Sequence, residues 1–552
     1  MKLAIFRHFL YNRGMKNNAV TDTRNTETVT ISRAEYENLK ALEQANEHLT
    51  NMNNWLREQL ENLKKNHYGS KHETASEEVI GQMMLFDEPE VYAYLEEIEN
   101  RTTPVMAHER TVKKERTFLL DEIPDNAEVE VEVHELSAEE RKCPECGAEM
   151  EEIGKEVVRS LEIIPAKFVV HEDWYMTYAC KQCAGEYSEE ADDFKKTQIK
   201  KTPRVPSVFP HSSCSAAAAA YLMTQKYVMG SPLYRMELDF SRSGYPLSRQ
   251  TMSNWMIYCA EHWLAPVYER LHALLTAEEI IHADETELQV LHEPGRKATT
   301  KSYVWLYRTG KHAKHPIVLY EYQPGRGSCY PVKFLRGFTG YLQTDGYGGY
   351  DPLTNVTHVI CMAHLRRKFH EAVTALPNGK KTGAAVEGEA YCERLFQLER
   401  AFAELSPEER YKKRQELAKP VLDEFLAWGS TRAAAKKSKL GVALTFLHNN
   451  GKGLSEYLND GRLEISNNLA ERSIKPFVID RKNFLFANTP KGASASTITF
   501  SVIQTAIENG LDPYRYLRYV FTEAPKLSAT NDDWPNTLLP WYAPDSCSAG
   551  RS

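Results

Sequence analysis

Glu279-Ile-Ile-His-Ala-Asp284-Glu-Thr-Glu-Leu-Gln-Val290 sets the reading of the whole chain. It predicts a strand with Asp284 near its middle. Tyr303–Arg308 and Ile317–Tyr322 predict two more, separated by short polar turns as in consecutive antiparallel hairpins. Tyr341-Leu-Gln-Thr-Asp345-Gly346-Tyr-Gly-Gly349 predicts a strand running into a Gly-rich turn, with Asp345 at its tip. His358-Val-Ile-Cys361 predicts a short strand entering a helix that carries Arg366, Arg367 and Lys368.

Three strands, a helix, a strand and another helix follow the order of an RNase H-like core. In that core an Asp on the first strand and an Asp ending the fourth lie on neighbouring strands, so their carboxylates converge. Converging carboxylates repel unless a cation neutralises them, and Mg²⁺ takes few protein oxygens plus phosphate and water. A pair of such ions activates an attacking water or 3′-hydroxyl and stabilises the leaving oxygen. A third acid is then needed. Residues 372–460 predict helices, with Ser406-Pro407-Glu408-Glu409 a capping box with Pro at the first helical position. Then comes Ile465-Ser-Asn-Asn-Leu-Ala-Glu471-Arg-Ser-Ile-Lys475. Capped at Ser466 or Asn467, this helix turns Leu469, Ser473 and Ile474 to the core. Asn467, Asn468, Glu471 and Lys475 share the other face, where Glu471 can be aimed at the metals. Arg481, Lys482 and Asn483 are expected on a strand or turn. Taken singly, each Asp reads as a turn former and Glu471 as a surface partner of Lys475. Only the ordered set carries the catalytic reading. His282, His358, His364 and His370 are not spaced as a closed zinc site, and His364 reads as a packing or DNA-side residue.

Working outward, Cys143-Pro-Glu-Cys146-Gly and Cys180-Lys-Gln-Cys183 are two C-x-x-C pairs, 33 residues apart. Two such turns bring four thiolates around one tetrahedral Zn²⁺, a closed structural site of zinc-ribbon type. Between them, Val157–Val170 reads as strands. Lys195–Arg204 is locally basic, and Ala216–Val228 is helical by propensity. Ser231-Pro232 starts a helix, Gly244 breaks it, and Ser248 caps a second one carrying Arg249, Gln250, Thr251, Ser253 and Asn254. Two short helices about a Gly turn make a helix-turn-helix, or an ordinary helical pair without DNA contact.

Towards the N-terminus, Leu42, Leu49, Leu56 and Leu63 recur every seven residues, with Leu39, Asn46, Asn53 and Leu60 three before each. Leu at d with Asn at some a positions specifies a two-stranded coiled coil. The plainer reading is one amphipathic helix on its own domain. Residues 73–141 are rich in Glu and Asp, carry Pro89, Pro104 and Pro124, and read as a solvated connector.

The 552 residues are 42% hydrophobic and 26% charged, an ordinary balance for a chain with real cores. The net charge of −8 excludes a uniformly basic nucleic-acid coat protein, though not local basic surfaces. Ten cysteines are too few for a disulfide scaffold at this length. No stretch approaches the roughly 20 apolar residues of a membrane helix, and Met1–Gly14 is too short and too interrupted by Arg and His for a secretory signal. The expectation is an intracellular protein.

The chain resembles the insertion-sequence-66 family of bacterial DDE transposases over nearly its whole length. The resemblance rests on the heptad helix followed by His67-Tyr-Gly-Ser-Lys-His-Glu73, on Leu85-Phe-Asp-Glu88 and on the two cysteine pairs. It continues through Lys226-Tyr227, Pro232-Leu-Tyr-Arg235, His282-Ala-Asp-Glu-Thr286 and Thr344-Asp-Gly-Tyr347. Cys361-Met-Ala-His-Leu-Arg-Arg-Lys-Phe369, Asn467-Asn-Leu-Ala-Glu-Arg472 and Arg481-Lys-Asn-Phe-Leu-Phe486 belong to it too. Thr505-Ala-Ile-Glu-Asn-Gly-Leu-Asp-Pro513 and Leu538-Leu-Pro-Trp541 match its tail element. The family usually has an acidic residue where Ser466 stands.

The resemblance implies that Asp284, Asp345 and Glu471 are the DDE triad, with a helical insertion between the second and third acids. It implies cutting at the ends of a mobile element and joining the freed 3′-hydroxyls to target DNA. It also implies possible small accessory proteins of the same element. The fold class expected is multidomain α+β. Its parts are an unstructured 1–31, a coiled-coil dimerisation helix at 32–72, an acidic linker at 73–141 and a zinc-ribbon at 142–194. A helix-turn-helix region at 195–270 follows, then an RNase H-like α/β core at 271–371 and 461–500. The core is split by an α-helical insertion at 372–460, and a C-terminal helical element covers 501–552. The expected cofactors are Mg²⁺ (or Mn²⁺) at Asp284, Asp345 and Glu471, and structural Zn²⁺ at Cys143, Cys146, Cys180 and Cys183. Expected DNA contacts are Arg249, Gln250, Asn254, Arg366, Arg367, Lys368, Arg481 and Lys482. The expected partners are terminal repeats, target DNA and a second copy, in a bacterial cytoplasm and on the nucleoid. The competing readings are a non-catalytic DNA-binding regulator, for which the half after residue 278 would be superfluous, and an RNase H-like nuclease without joining activity.

Overall fold

A computed structural model describes residues 168–179, 187–188, 193–194, 199–376 and 382–549. The heptad helix, the acidic connector and all four paired cysteines lie outside the described residues. The chain divides into two compact units, 87–205 and the remainder. In the smaller unit two short antiparallel ladders are described. Thr177–Ala179 pairs with Ile199–Lys201, and Tyr187–Ser188 with Asp193–Phe194.

The larger unit is a mixed α/β structure built on one five-stranded sheet. Its strands are β1 (Ile280–Gln289), β2 (Lys301–Thr309), β3 (Val318–Gln323), β4 (Tyr341–Thr344) and β5 (Thr357–Ile360). They lie in the order β3-β2-β1-β4-β5. The first three are antiparallel neighbours, while β4 lies parallel to β1 and β5 parallel to β4. Each antiparallel link needs only a hairpin, whereas the parallel links need crossovers. Nearly every residue of β2 is buried, including the adjacent pairs Val304–Trp305 and Leu306–Tyr307. Neighbouring residues point to opposite faces, so both faces of the sheet are covered.

Among the described residues four α-helices precede the sheet: α1 (Ala216–Tyr227), α2 (Leu233–Arg242), α3 (Arg249–Cys259) and α4 (Ala265–Leu275). Gly244 takes φ +84 between α2 and α3, and the Ser248 side chain accepts from Thr251 N at the start of α3. The short α5 (Cys329–Phe334) precedes β4, and α6 (Met362–Thr374) follows β5. The segment expected to be helical is helical, with α7 (Ala384–Ala401), α8 (Pro407–Lys413), α9 (Lys419–Thr431) and α10 (Lys439–Ser455). The Ser406–Glu409 capping box forms at the start of α8. These helices share a core with β5 and α6 through Val359, Ile360, Leu365, Phe369, Leu422 and Phe425.

After α11 (Asn468–Phe484) come α12 (Pro490–Glu508), α13 (Pro513–Leu527) and the short α14 (Trp534–Thr537). Arg481, Lys482 and Asn483 lie on α11, not on a strand or turn. Pro476 sits inside that helix without ending it. Ala470, Ser473, Ile474, Phe477 and Asp480 bury a continuous face, and this packing outweighs the one lost backbone bond.

An edge strand normally exposes a row of backbone groups. Here α12 covers the outer edge of β3 with polar residues one turn apart. Tyr320 N donates to Ser501 Oγ at 2.8 Å, Val318 N to Thr505 Oγ1 at 3.0 Å, and Asn509 Nδ2 to Pro316 O at 2.7 Å. Among the described residues no helix is long and apolar enough to cross a membrane.

Candidate active site

The parallel ladder between β1 and β4 ends with His282 opposite Gln343. Asp284 and Asp345 each stand two residues beyond that pair, at the same end of adjacent strands. The turn after β4 fixes Asp345. Gly346 takes φ +89, and Tyr347 N donates to Asp345 Oδ1 at 2.8 Å. Only Gly adopts that conformation at no steric cost, and Phe446 lies 3.1 Å from where a Cβ would stand.

Glu471 comes from the first turn of α11 and is buried. The chain enters that helix through a polar knot. Gln343 Nε2 donates to Glu464 O (2.7 Å) and Ser466 O (2.9 Å), and Met362 N donates to Ile465 O (3.0 Å). Asn467 is the N-cap residue, yet its side chain does not cap. Nδ2 donates instead to Ala283 O at 2.9 Å, and Oδ1 accepts from His282 Nδ1 at 3.0 Å. It thus takes over the flank of β1 where β4 has turned away. Sequence periodicity puts Asn467 and Glu471 on an outer face, whereas the structure buries both. The helix N-terminus is wedged against β1 and α6, so periodicity along α11 does not report what covers it.

The electrostatics follow from this convergence. Burial lifts Asp284 well above the usual carboxylate range, and Glu285, Asp345 and Glu471 push it further. Glu285 is raised by burial and by Asp345, but it has compensation. Arg326 Nε donates to it at 2.9 Å, and Tyr350 OH at 2.7 Å. Among the described residues no Lys or Arg forms an ion pair with Asp284 or Asp345. Burial pushes the imidazoles of His282 and His364 down to about 4, so both rings are neutral. His364 Nδ1 lies 3.5 Å from Glu471 Oε1. Cys361 is buried beside them, its thiol pushed up to about 12 by burial and by Glu471.

The other expected site residues are spread out. Arg249, Gln250 and Asn254 are exposed on α3, with Gln250 Nε2 donating to Asn254 Oδ1 at 3.0 Å. Arg249 N donates to Glu237 Oε1 of α2 at 3.0 Å. Arg366 pairs with Glu393 at 3.0 Å, and Lys368 lies over the Phe446 ring at 5.0 Å, both towards the helical segment. Arg367 is half-buried on the same helix, and Lys482 is exposed. Arg481 Nη1 donates to Thr286 Oγ1 at 3.2 Å and to Glu287 O, fastening the end of α11 to β1. Three participants were not singled out from the sequence: Asn467 as a brace, Glu285 with its Arg326–Tyr350 support, and Cys361. The adjacent carboxylates of Asp284-Glu285 and the C-x-x-H spacing of Cys361 and His364 were the available signals.

A mixed sheet that brings half-buried acids to the same end of neighbouring strands defines a class, an acidic site in an α/β domain. The comparisons with known proteins narrow it. Residues 211–495 match the family model described as "Transposase IS66 family". Residues 140–184, which include all four paired cysteines, match "zinc-finger binding domain of transposase IS66". Residues 501–541 match "IS66 C-terminal element". Two uncharacterized proteins of Sinorhizobium fredii (strain NBRC 101917 / NGR234) are similar. One, y4jD, is 30% identical over 74% of this chain and 79% of its own length. The other, y4qI, is 29% identical over 93% of each chain. The chain belongs to the IS66 transposase family and carries that family's zinc-finger domain.

Proposed function

We propose that this chain is a DDE-type transposase with an RNase H-like core, which cuts at the ends of its element and joins the freed 3′-hydroxyls to target DNA. The single observation that carries the proposal is the meeting of three acids from distant parts of the chain. Asp345 and Glu471 both act on half-buried Asp284, with no basic ion-pair partner for either Asp among the described residues. Strand order supports the core assignment, with an antiparallel β3-β2-β1 and parallel β4 and β5.

The donor set fits hard divalent cations, because carboxylate oxygens are what Mg²⁺ and Mn²⁺ prefer. Asp284, Asp345 and Glu471 would hold them. Bound there, such ions supply charge neutralisation at the phosphodiester and activation of the attacking hydroxyl. The protein's own part is positioning. Asn467 braces the start of α11 against β1, the Gly346 turn aims Asp345, and Arg326 with Tyr350 keeps Glu285 satisfied. On this reading Arg249, Gln250 and Asn254 of α3 reach base edges in a helix-turn-helix manner. Arg367, Lys368 and Lys482 touch phosphates, while Arg366 and Arg481 hold α6 and α11 beside the DNA path. The four cysteines hold structural zinc, residues 32–72 pair two copies, and small accessory proteins of the element assist.

The test is Mg²⁺-dependent cleavage and joining on labelled DNA carrying the flanking terminal repeats. Asp284→Asn, Asp345→Asn and Glu471→Gln should each lose joining by about a hundredfold or more, while still binding DNA. A pre-cut 3′ end isolates joining from cleavage. Wild-type joining by any of the three variants would refute the assignment.

A further inference from the structure

A second donor set lies beside the acids and is of a different chemical kind. Ligand atoms of Cys361, His364 and Glu471 all lie within 4.8 Å of one another. Cys361 is the N-cap residue of α6, and Asn467, whose N–H donates to its Sγ at 3.1 Å, is the N-cap residue of α11. The N–H groups of Ala363 and His364 also point at that sulfur. Two helix N-termini therefore meet at one sulfur, and three backbone donors converge on it. Donors and helix dipoles arranged like this offset only part of the cost of a thiolate there, since burial and Glu471 still hold the thiol high. A thiolate in a buried place needs a cation next to it. His364 sits in the first turn of α6, and its Nδ1 is buried with no hydrogen-bond partner among the described residues. That nitrogen lies 3.5 Å from Glu471 Oε1.

We infer that Cys361, His364 and Glu471 form a binding site for a borderline transition-metal ion, Zn²⁺ by preference. Mg²⁺ is excluded by the donors, since it takes hard oxygens, whereas a sulfur, nitrogen and oxygen set selects zinc and its neighbours. Three protein ligands leave a tetrahedral ion one open position for water or a phosphate oxygen. The site is separate from the zinc finger, which belongs to the other compact unit. It goes beyond the transposase reading and shares only Glu471 with it. One oxygen of Glu471 would serve this ion and leave the other for the catalytic site.

The experiment uses the full chain. In a Cys143→Ser, Cys146→Ser, Cys180→Ser, Cys183→Ser background, added Co²⁺ should still give sulfur-to-cobalt charge-transfer absorption, and adding Cys361→Ser should remove it. His364→Ala should weaken Co²⁺ binding by at least about tenfold, the loss seen even for outer-sphere partners. Zinc content by native mass spectrometry provides a second measurement that leaves the finger intact. Cys361→Ser keeps a capping acceptor but not a zinc-binding thiolate, and should carry one zinc fewer than the wild type. Equal zinc content in those two chains, or cobalt absorption that ignores Cys361, would overturn the site. Asp284→Asn separates the two readings. It should keep this zinc and lose joining, so joining that survives would sink the catalytic assignment and leave the metal site standing.

Discussion

Asn467→Ala is the substitution that most directly tests how the third acid is held. Asn467 is fully buried and makes two side-chain hydrogen bonds, to Ala283 O at 2.9 Å and with His282 Nδ1 at 3.0 Å. Alanine leaves a carbonyl and a ring N–H buried and unpaired, at about 1–3 kcal/mol each. A loss of about 4 kcal/mol is therefore expected, roughly a thousandfold in the folding equilibrium. Equilibrium urea unfolding should show a lower midpoint at an unchanged slope. Joining should fall in parallel under conditions where the variant is still folded, because α11 is no longer braced against β1. Asn467→Asp keeps the acceptor for His282 but loses the donor to Ala283 and adds charge beside four acids, so it should be no better than alanine. An unchanged urea midpoint for Asn467→Ala would refute the brace. A lowered midpoint with wild-type joining by the folded fraction would refute its link to Glu471.

The edge of β3 offers a second test. Ser501→Ala and Thr505→Val each remove the acceptor for a buried strand N–H, Tyr320 or Val318, and should each cost about 1–3 kcal/mol by urea unfolding. No loss in the double variant would mean that α12 merely lies beside the strand. Glu321 is mostly buried, its Oε2 has no hydrogen-bond partner among the described residues, and burial lifts its carboxyl from 4.5 to about 7. A raised folded-state value means the proton is held more tightly when folded. Relative to a neutral side chain, the penalty is absent below about pH 4.5 and complete above about pH 7. Glu321→Gln should therefore stabilise the protein by at most about 3 kcal/mol near pH 8 and hardly at all near pH 4. Equal stabilisation at both pH values in thermal melts would rule out ionisation as the cause.

The strands of the sheet were legible because their patterns are local. Asp284 and Asp345 were found at strand positions that the β1–β4 register then aligns, two residues past His282 and Gln343. Ser248 and the Ser406 box were equally readable, since a cap is a contact between residues three apart. What escaped was whatever depends on a neighbour far along the chain. The 3.6-residue period placed Asn467 and Glu471 outward because it knows the helix but not β1 and α6, which close over its first turn. Arg481 was expected on a strand or turn, while the buried face running to Asp480 keeps the helix intact past Pro476. Ser501, Thr505 and Asn509 read as polar residues in a tail helix, and nothing local says that their partner is the backbone of β3.

The helical segment between the second and third acids is more than a spacer, and Arg414 shows why. Its guanidinium is fully buried and grips Glu399 of α7 with two bonds, of 2.9 and 2.6 Å. The same group donates to Tyr457 O, Asp460 O and Leu463 O at 2.8 to 2.9 Å. Those carbonyls belong to the stretch that leaves α10 and leads into Asn467. A buried charge with five satisfied donors is costly to disturb in part, since every freed acceptor stays out of water. The path into α11 is thus held from one side by the helices through Arg414 and from the other by the sheet through Gln343 and Asn467. Glu471 follows four residues after the last of these anchors, within one helical turn of a fixed point. Its position is therefore set by the insertion as much as by the sheet.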